Sequence, residues 1–202
     1  MNAYTLRPPR PGARKARSRR RRGLSLFSVL MGLAVASVAI IGAVALYNTT
    51  TESQNRNQAQ ALLTTLTIAV QQIYQGSSNY GDTSNNIVPQ LALRNAIPSS
   101  ARRDADPTNP VHTTAKIMHP FGGEVTLTGS GSSPGDGRFI TTFKALEAST
   151  CGLILDPFIG QTRAGGGLWD IKVGSTAVAF PPTAPGITTA CASGGDVAFT
   201  FE

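Results

Sequence analysis

Residues 23–47 constrain this chain more than any other stretch. They read GLSLFSVLMGLAVASVAIIGAVALY, with no charge and no proline, and four arginines stand directly before them at 19–22. From Leu24 to Leu46 there are 23 residues. As a helix they would cover roughly 35 Å, enough to cross a bilayer core of about 30 Å. A rod that is apolar all round is stable in lipid or against equivalent helices, not alone in water.

The formal charge of +7 over 202 residues would ordinarily raise nucleic acid as a partner. Its distribution argues otherwise. Nine Arg and Lys residues precede Gly23 with no acid among them, and the remainder carries nine basic residues against eleven acidic ones. A basic leader without aromatic interleaving, placed beside an apolar span, fits the positive-inside rule. Residues 1–23 are therefore expected to stay cytoplasmic while the C-terminal part crosses the membrane, and no nucleic-acid partner is expected.

Two processing routes compete. A conventional export signal would end at the small-residue site around Ala43 and Ala45, with cleavage before Leu46. The paired arginines also permit a twin-arginine route. Alternatively, the cut falls after Gly23 on the cytoplasmic side, and the apolar segment is kept. The next stretch favours the second route. Residues 52–74 contain no Gly or Pro, and apolar residues recur at Ala59, Leu62, Leu63, Leu66, Ala69, Val70 and Ile73. That spacing marks one face of a helix. A helix over 24–75 would be membrane-spanning over 24–46 and amphipathic over 52–74. A subunit that packs its N-terminal helix among its own copies uses that continuity; a released globular domain does not. Gly32, Ala36, Ala39 and Ala43 allow close helix approach, although ordinary single-span packing in lipid explains them equally.

Cys151 and Cys191 are the only cysteines. An even count on the exported side points to one disulfide, the alternative being two separate buried thiols. Residues 76–202 are long enough for one core. Gly76 should stop the helix and open a loop over 76–86. A short helix is expected over 87–96, irregular chain over 99–110 and extended chain over 113–118. A turn at 120–123, strands at 124–128 and 138–143, and a loop between them follow. A helix over 144–155, strands at 169–173 and 176–180, a Pro-rich connection over 181–186 and a last strand at 197–201 complete an α+β head. Its long helix lies on an antiparallel sheet. Trp169 shares a strand with Ile171 and Val173 and is expected in the core.

Other motifs carry little chemistry. The G-x-S-x-G pattern at 131–135 lacks the strand and helix that a nucleophile elbow needs. His112 and His119 are seven residues apart without cysteine or nearby carboxylates, a poor metal site. Asp104 and Asp106 follow Arg102 and Arg103 as a solvated loop without the oxygens of a calcium loop. No metal, cofactor or catalytic residue is expected.

In order, the residues resemble a known family. A basic leader ends at Gly23, and an uncharged helix begins at once. Then come QALLTTLTIAVQQIYQGSSNYG, IVPQLALRNAIPSS, HPFGGEVTLTG, EASTCGLIL and ITTACASGGDVAFTFE. The chain resembles the type IV pilins, most closely the type IVb, PilS-like pilins of conjugative thin pili, over nearly all of 19–202. The resemblance implies the type IV pilin fold and no enzymatic activity. It implies cleavage between Gly23 and Leu24 by a prepilin peptidase, with N-methylation at Leu24. It also implies a helical homopolymer drawn from the inner membrane by an assembly platform and its ATPase, forming an extracellular pilus (fimbrium) for adhesion or conjugation. The Cys151–Cys191 bridge would border the variable surface. Minor pilins and the pseudopilins of secretion systems share these features. Two positions depart from the family. Leu24 replaces the commoner aromatic or Met, and Ser28 stands at the fifth residue after the cut, where the family has Glu. A glutamate buried there is costly in lipid and is thought to pair with a neighbour's terminal amine. Ser28 supplies no such charge, which leaves main and minor subunit both open.

Overall fold

The computed structural model describes residues 26–75, 79–81, 83–104, 111–131, 137–163 and 167–202. The leader, Gly23, Leu24, the expected helix stop at Gly76, Asp106 and Ser133 lie outside them. Helix α1 runs over Leu26–Ile73. The chain divides into two compact units between Leu46 and Tyr47, and each is described by itself.

In the first unit, 26–46 is helical. Its large apolar side chains, among them Phe27, Leu33, Val38 and Ile41, are exposed. Ser28 has helical backbone, but its side chain lies outside the described residues. Among the described residues no helix is long and apolar enough to cross a membrane, so a span over 24–46 rests on the sequence alone.

The second unit holds the core. The rest of α1 contains several threonines, which would weaken a helix by competing for its backbone. Here Thr51, Thr64 and Thr67 donate to the carbonyl oxygens of Tyr47, Gln60 and Leu63, four residues back, a back-bond that a helix accommodates at small cost. Six of the seven residues on the expected face are buried, from Ala59 to Val70, and Ile73 is partly buried against the same core.

That face shares one hydrophobic core with a seven-stranded antiparallel sheet of order β1-β2-β3-β4-β7-β5-β6. The strands are β1 (Arg102–Arg103), β2 (Lys116–Met118), β3 (Glu124–Gly129), β4 (Phe139–Leu146), β5 (Leu168–Val173), β6 (Thr176–Ala177) and β7 (Gly195–Phe201). Alternation in β3, β4 and β7 turns every second side chain inward. Phe139 opposes Phe201 and Phe143 opposes Val197, and the ring centroids of Phe139 and Phe201 are 5.5 Å apart. Such cross-strand pairs are the units of sheet stability. Thr141, between the two β4 phenylalanines, is fully buried, and its hydroxyl has no partner among the described residues.

Three short helices complete the unit: α2 (Val88–Leu93), α3 (Ala148–Leu155) and α4 (Ala184–Ala190). Ahead of α2, the 79–81 segment crosses the end of β3 at Gly129, where a Cβ would meet the carbonyl of Gly81.

Several expectations need correction. The irregular 99–110 stretch contributes edge strand β1, paired with β2 through Arg102↔Ile117. The second half of the Pro-rich connection, from Ala184, is the start of helix α4. Thr183 caps it by accepting from the Gly186 N–H, and a proline sits in its first turn, where a missing N–H costs nothing. The helix expected from 144 begins only at Ala148, because β4 continues to Leu146 through a left-handed Ala145 with φ 57°. The strand expected over 176–180 pairs only at Thr176–Ala177.

Candidate functional site

Three features outside routine packing compete as sites: the disulfide region, a buried histidine and an arginine–aromatic cluster. The leader cut at Gly23 and Leu24 lies outside the described residues.

Cys151 in α3 and Cys191 at the end of α4 form a disulfide, with Cα atoms 5.7 Å apart and a sequence separation of 40. Both are buried. Closing a loop of that length restricts the unfolded chain and typically contributes about 2–4 kcal/mol. The enclosed residues 152–190 include β5, β6 and α4, and they reach the sheet through the pairing of β5 with β7 and through core contacts such as Phe158 on Phe199.

His119 sits after β2, at the turn into β3. It is buried rather than solvated, being only 3% exposed. Its Nε2 lies 3.0 Å from the Lys144 carbonyl, and its Nδ1 accepts the Phe121 N–H at 3.2 Å. A carbonyl can only accept and a backbone amide can only donate, so the ring is the neutral tautomer with its proton on Nε2. Burial pulls its pKa below the usual histidine value, against the opposing effect of the Lys144 carbonyl. Gly123 makes room for this contact, since a Cβ there would meet both Lys144 O and His119 Nε2. These bonds satisfy both ring nitrogens, so His119 ties β2 and β3 to β4. His112 stands apart in a short 3-10 turn. Among the described residues, no three His, Cys, Asp or Glu side chains form a group that could hold a metal.

The third feature overturns the expectation for Trp169. The indole lies outside the core, while Leu168, Ile171 and Val173 turn inward. The cause is a register shift between Leu168 and Asp170 in the pairing of β5 with β7. An extra residue in a strand reverses the alternation beyond it. The guanidinium carbon of Arg138 stands 3.5 Å from the Trp169 ring centroid. That of Arg163 is 5.7 Å from the same ring and 5.2 Å from the Phe180 ring. Sequence reading missed this group, because Arg138 leads into β4 and Trp169 lies in β5, strands that adjoin only through β7.

Elsewhere, Asp104 is not freely solvated. It pairs with Arg102 at 2.9 Å, the Arg102 Nε also donates to the carboxylate, and both side chains are largely covered.

The comparisons agree with this architecture. The family described as PilS N terminal matches residues 53–202. The major structural subunit of bundle-forming pilus from Escherichia coli O127:H6 is 26% identical over 147 residues, covering 73% of this chain and 70% of that protein. The same subunit from E. coli O111:H- matches equally. A crystal structure of a type IV b pilin from Salmonella typhi superposes with a TM-score of 0.52 at 19% identity, covering 72% of this chain and 97% of that one. A family match across three quarters of the sequence shows that the chain belongs to the PilS family, and its fold is that of the type IV b pilin structure it superposes on.

Proposed function

We propose that this chain is the structural subunit of a type IVb pilus. It enters the inner membrane through residues 24–46. A prepilin peptidase cuts between Gly23 and Leu24 and methylates the new terminus. An assembly platform and its ATPase then draw the subunit into a surface filament of identical copies, serving adhesion or conjugative contact. The protein has no enzymatic role in this reading.

The observation that carries the reading is the exposed apolar helix over 26–46, where Val38 and Ile41 are 70% and 69% exposed. Side chains of that kind need cover. Lipid supplies it before assembly, and the helices of neighbouring subunits supply it afterwards. Contacts between copies that do not close into a ring extend as a filament. The relatives named as bundle-forming pilus subunits support the same role. A conventional export signal ending at Ala45 would cut within α1, which runs without a break over Leu26–Ile73. With Ser28 in place of glutamate, register along the filament comes from helix packing and contacts between heads.

N-terminal sequencing or intact mass of the mature protein, from sheared filaments or membranes, tests this directly. A chain starting at Leu24, with or without an added methyl group, is expected. A start at Leu46 would overturn the proposal. Gly23→Glu should leave the precursor uncut and the cells without these filaments.

A further inference from the structure

We infer that Arg138, Arg163, Trp169 and Phe180 form a binding site for a carboxylated sugar. Arg138 precedes β4, Trp169 is in β5, and Arg163 and Phe180 flank β5 and β6. Three of the four, Arg163, Trp169 and Phe180, therefore lie within the disulfide-enclosed region.

The stack of Arg138 on Trp169 uses one flat face of the guanidinium. It leaves the in-plane N–H groups, which match a carboxylate in fork-to-fork geometry. Neither Arg138 nor Arg163 forms an ion pair among the described residues, and the Arg138 Nε is buried with no hydrogen-bond partner. Elsewhere in this protein a covered arginine is matched by a carboxylate, as Arg102 is by Asp104. Two guanidinium groups left unmatched beside one indole favour an anion from outside the subunit.

The surroundings choose the rest of the ligand. A cavity of about 250 Å³ adjoins the cluster, lined by Thr162, Arg163, Phe180 and Pro181. That is smaller than the roughly 300–1,000 Å³ of pockets for drug-sized ligands, so a single ring fits it better than an extended chain. Trp169 is 37% exposed, and the Phe180 ring is partly exposed. Aromatic faces pack against the C–H face of a sugar, while the Thr162 hydroxyl and the guanidinium N–H groups can meet its oxygens. An acidic saccharide carries all three elements: anion, C–H face and hydroxyls. In a filament every subunit would repeat the site, so weak single contacts would add. That gain rests on the proposed function; the site itself does not.

Trp169 is the only tryptophan in the chain, so its fluorescence reports on this site in the detergent-solubilised full chain. Titrations would use sialic acid, glucuronate, glucose, acetate, inorganic phosphate and a short single-stranded oligonucleotide. Saturable quenching or a spectral shift is expected with one or both acid sugars, at least ten times tighter than with glucose or acetate. Which acid sugar binds tighter separates a terminal sialylated glycan from a uronate polysaccharide. Arg163→Ala should weaken binding at least tenfold with an unchanged melting temperature, because that side chain is exposed. Arg163→Lys should restore only part, since lysine cannot present the fork. Equal response to glucose and glucuronate would overturn the inference. So would acetate or phosphate binding as tightly as the acid sugars, tighter binding of the oligonucleotide, or no effect of Arg163→Ala.

Discussion

The two stretches of helix α1 have similar secondary structure and opposite surroundings. Over 59–73, apolar residues occupy one face, and the sheet of the same subunit covers them. Over 26–46, apolar residues occupy every face, and in one copy they stand exposed. The first stretch solves its burial within the subunit. The second can only solve it with lipid or with other copies. Folding and assembly are thereby assigned to different parts of one helix, and substitutions should separate them.

The sharpest separation compares Leu66→Ala with Ile40→Asn. Leu66 is fully buried, and truncating such a leucine costs about 2–5 kcal/mol. Ile40 is 64% exposed, so its replacement should leave the head's thermal unfolding unchanged while reducing the yield of sheared filaments. Equal loss of stability in both variants would erase the distinction.

The disulfide tests whether the region it encloses depends on covalent closure. Cys151→Ser with Cys191→Ser should cost about 2–4 kcal/mol, read by chemical denaturation. Proteolysis should reach 156–190 before β3 and β4. Uniform cleavage across the sheet would show that the bridge stabilises the head as a whole.

A smaller effect concerns pH. Burial lowers the His119 pKa, so the unfolded chain binds a proton more readily than the folded one. The stability from the neutral ring is complete above its ordinary pKa of 6.5. It falls away as pH drops through the lowered folded value. Melting temperature should therefore decline from pH 7 towards pH 5, and His119→Gln should flatten part of that slope. An unchanged slope in the variant would assign it to other groups.

The smallest effect has the opposite sign. Thr141→Val should stabilise the head by about 1 kcal/mol, since it removes a buried hydroxyl without a partner and preserves shape. A destabilised variant would mean that the hydroxyl makes a bond in solution.

These contrasts also show what the sequence exposes. The burial pattern of α1 was legible because helical periodicity is local, and Leu62, Leu66 and Val70 signal it without reference to any partner. Strands β3 and β7 were legible through alternation. The pairing of Cys151 with Cys191 followed from count and compartment. What escaped depended on context. Pro185 reads as a breaker until Thr183 caps the turn before it. Arg102 and Arg103 form a strand only because Lys116 and Ile117 are there to pair. Trp169 points outward because of one register shift against β7, which no pattern within β5 contains. The arginine cluster follows from that same shift.

Strand β7 lies inside the sheet, between β4 and β5, yet it comes last in chain order among the seven. Both of its neighbours, β4 and β5, are made before it and must wait with open edges. The head cannot close from its first residue onward as it emerges. Until Val197, Phe199 and Phe201 arrive, two half-sheets face a missing centre, and long-range pairing of this kind is slow. Under the proposed route through the inner membrane, such a delay keeps the chain passable. The same delay leaves two unpaired edges open to the wrong strand. An emerging subunit is therefore most vulnerable to its own neighbours just before it becomes a finished building block.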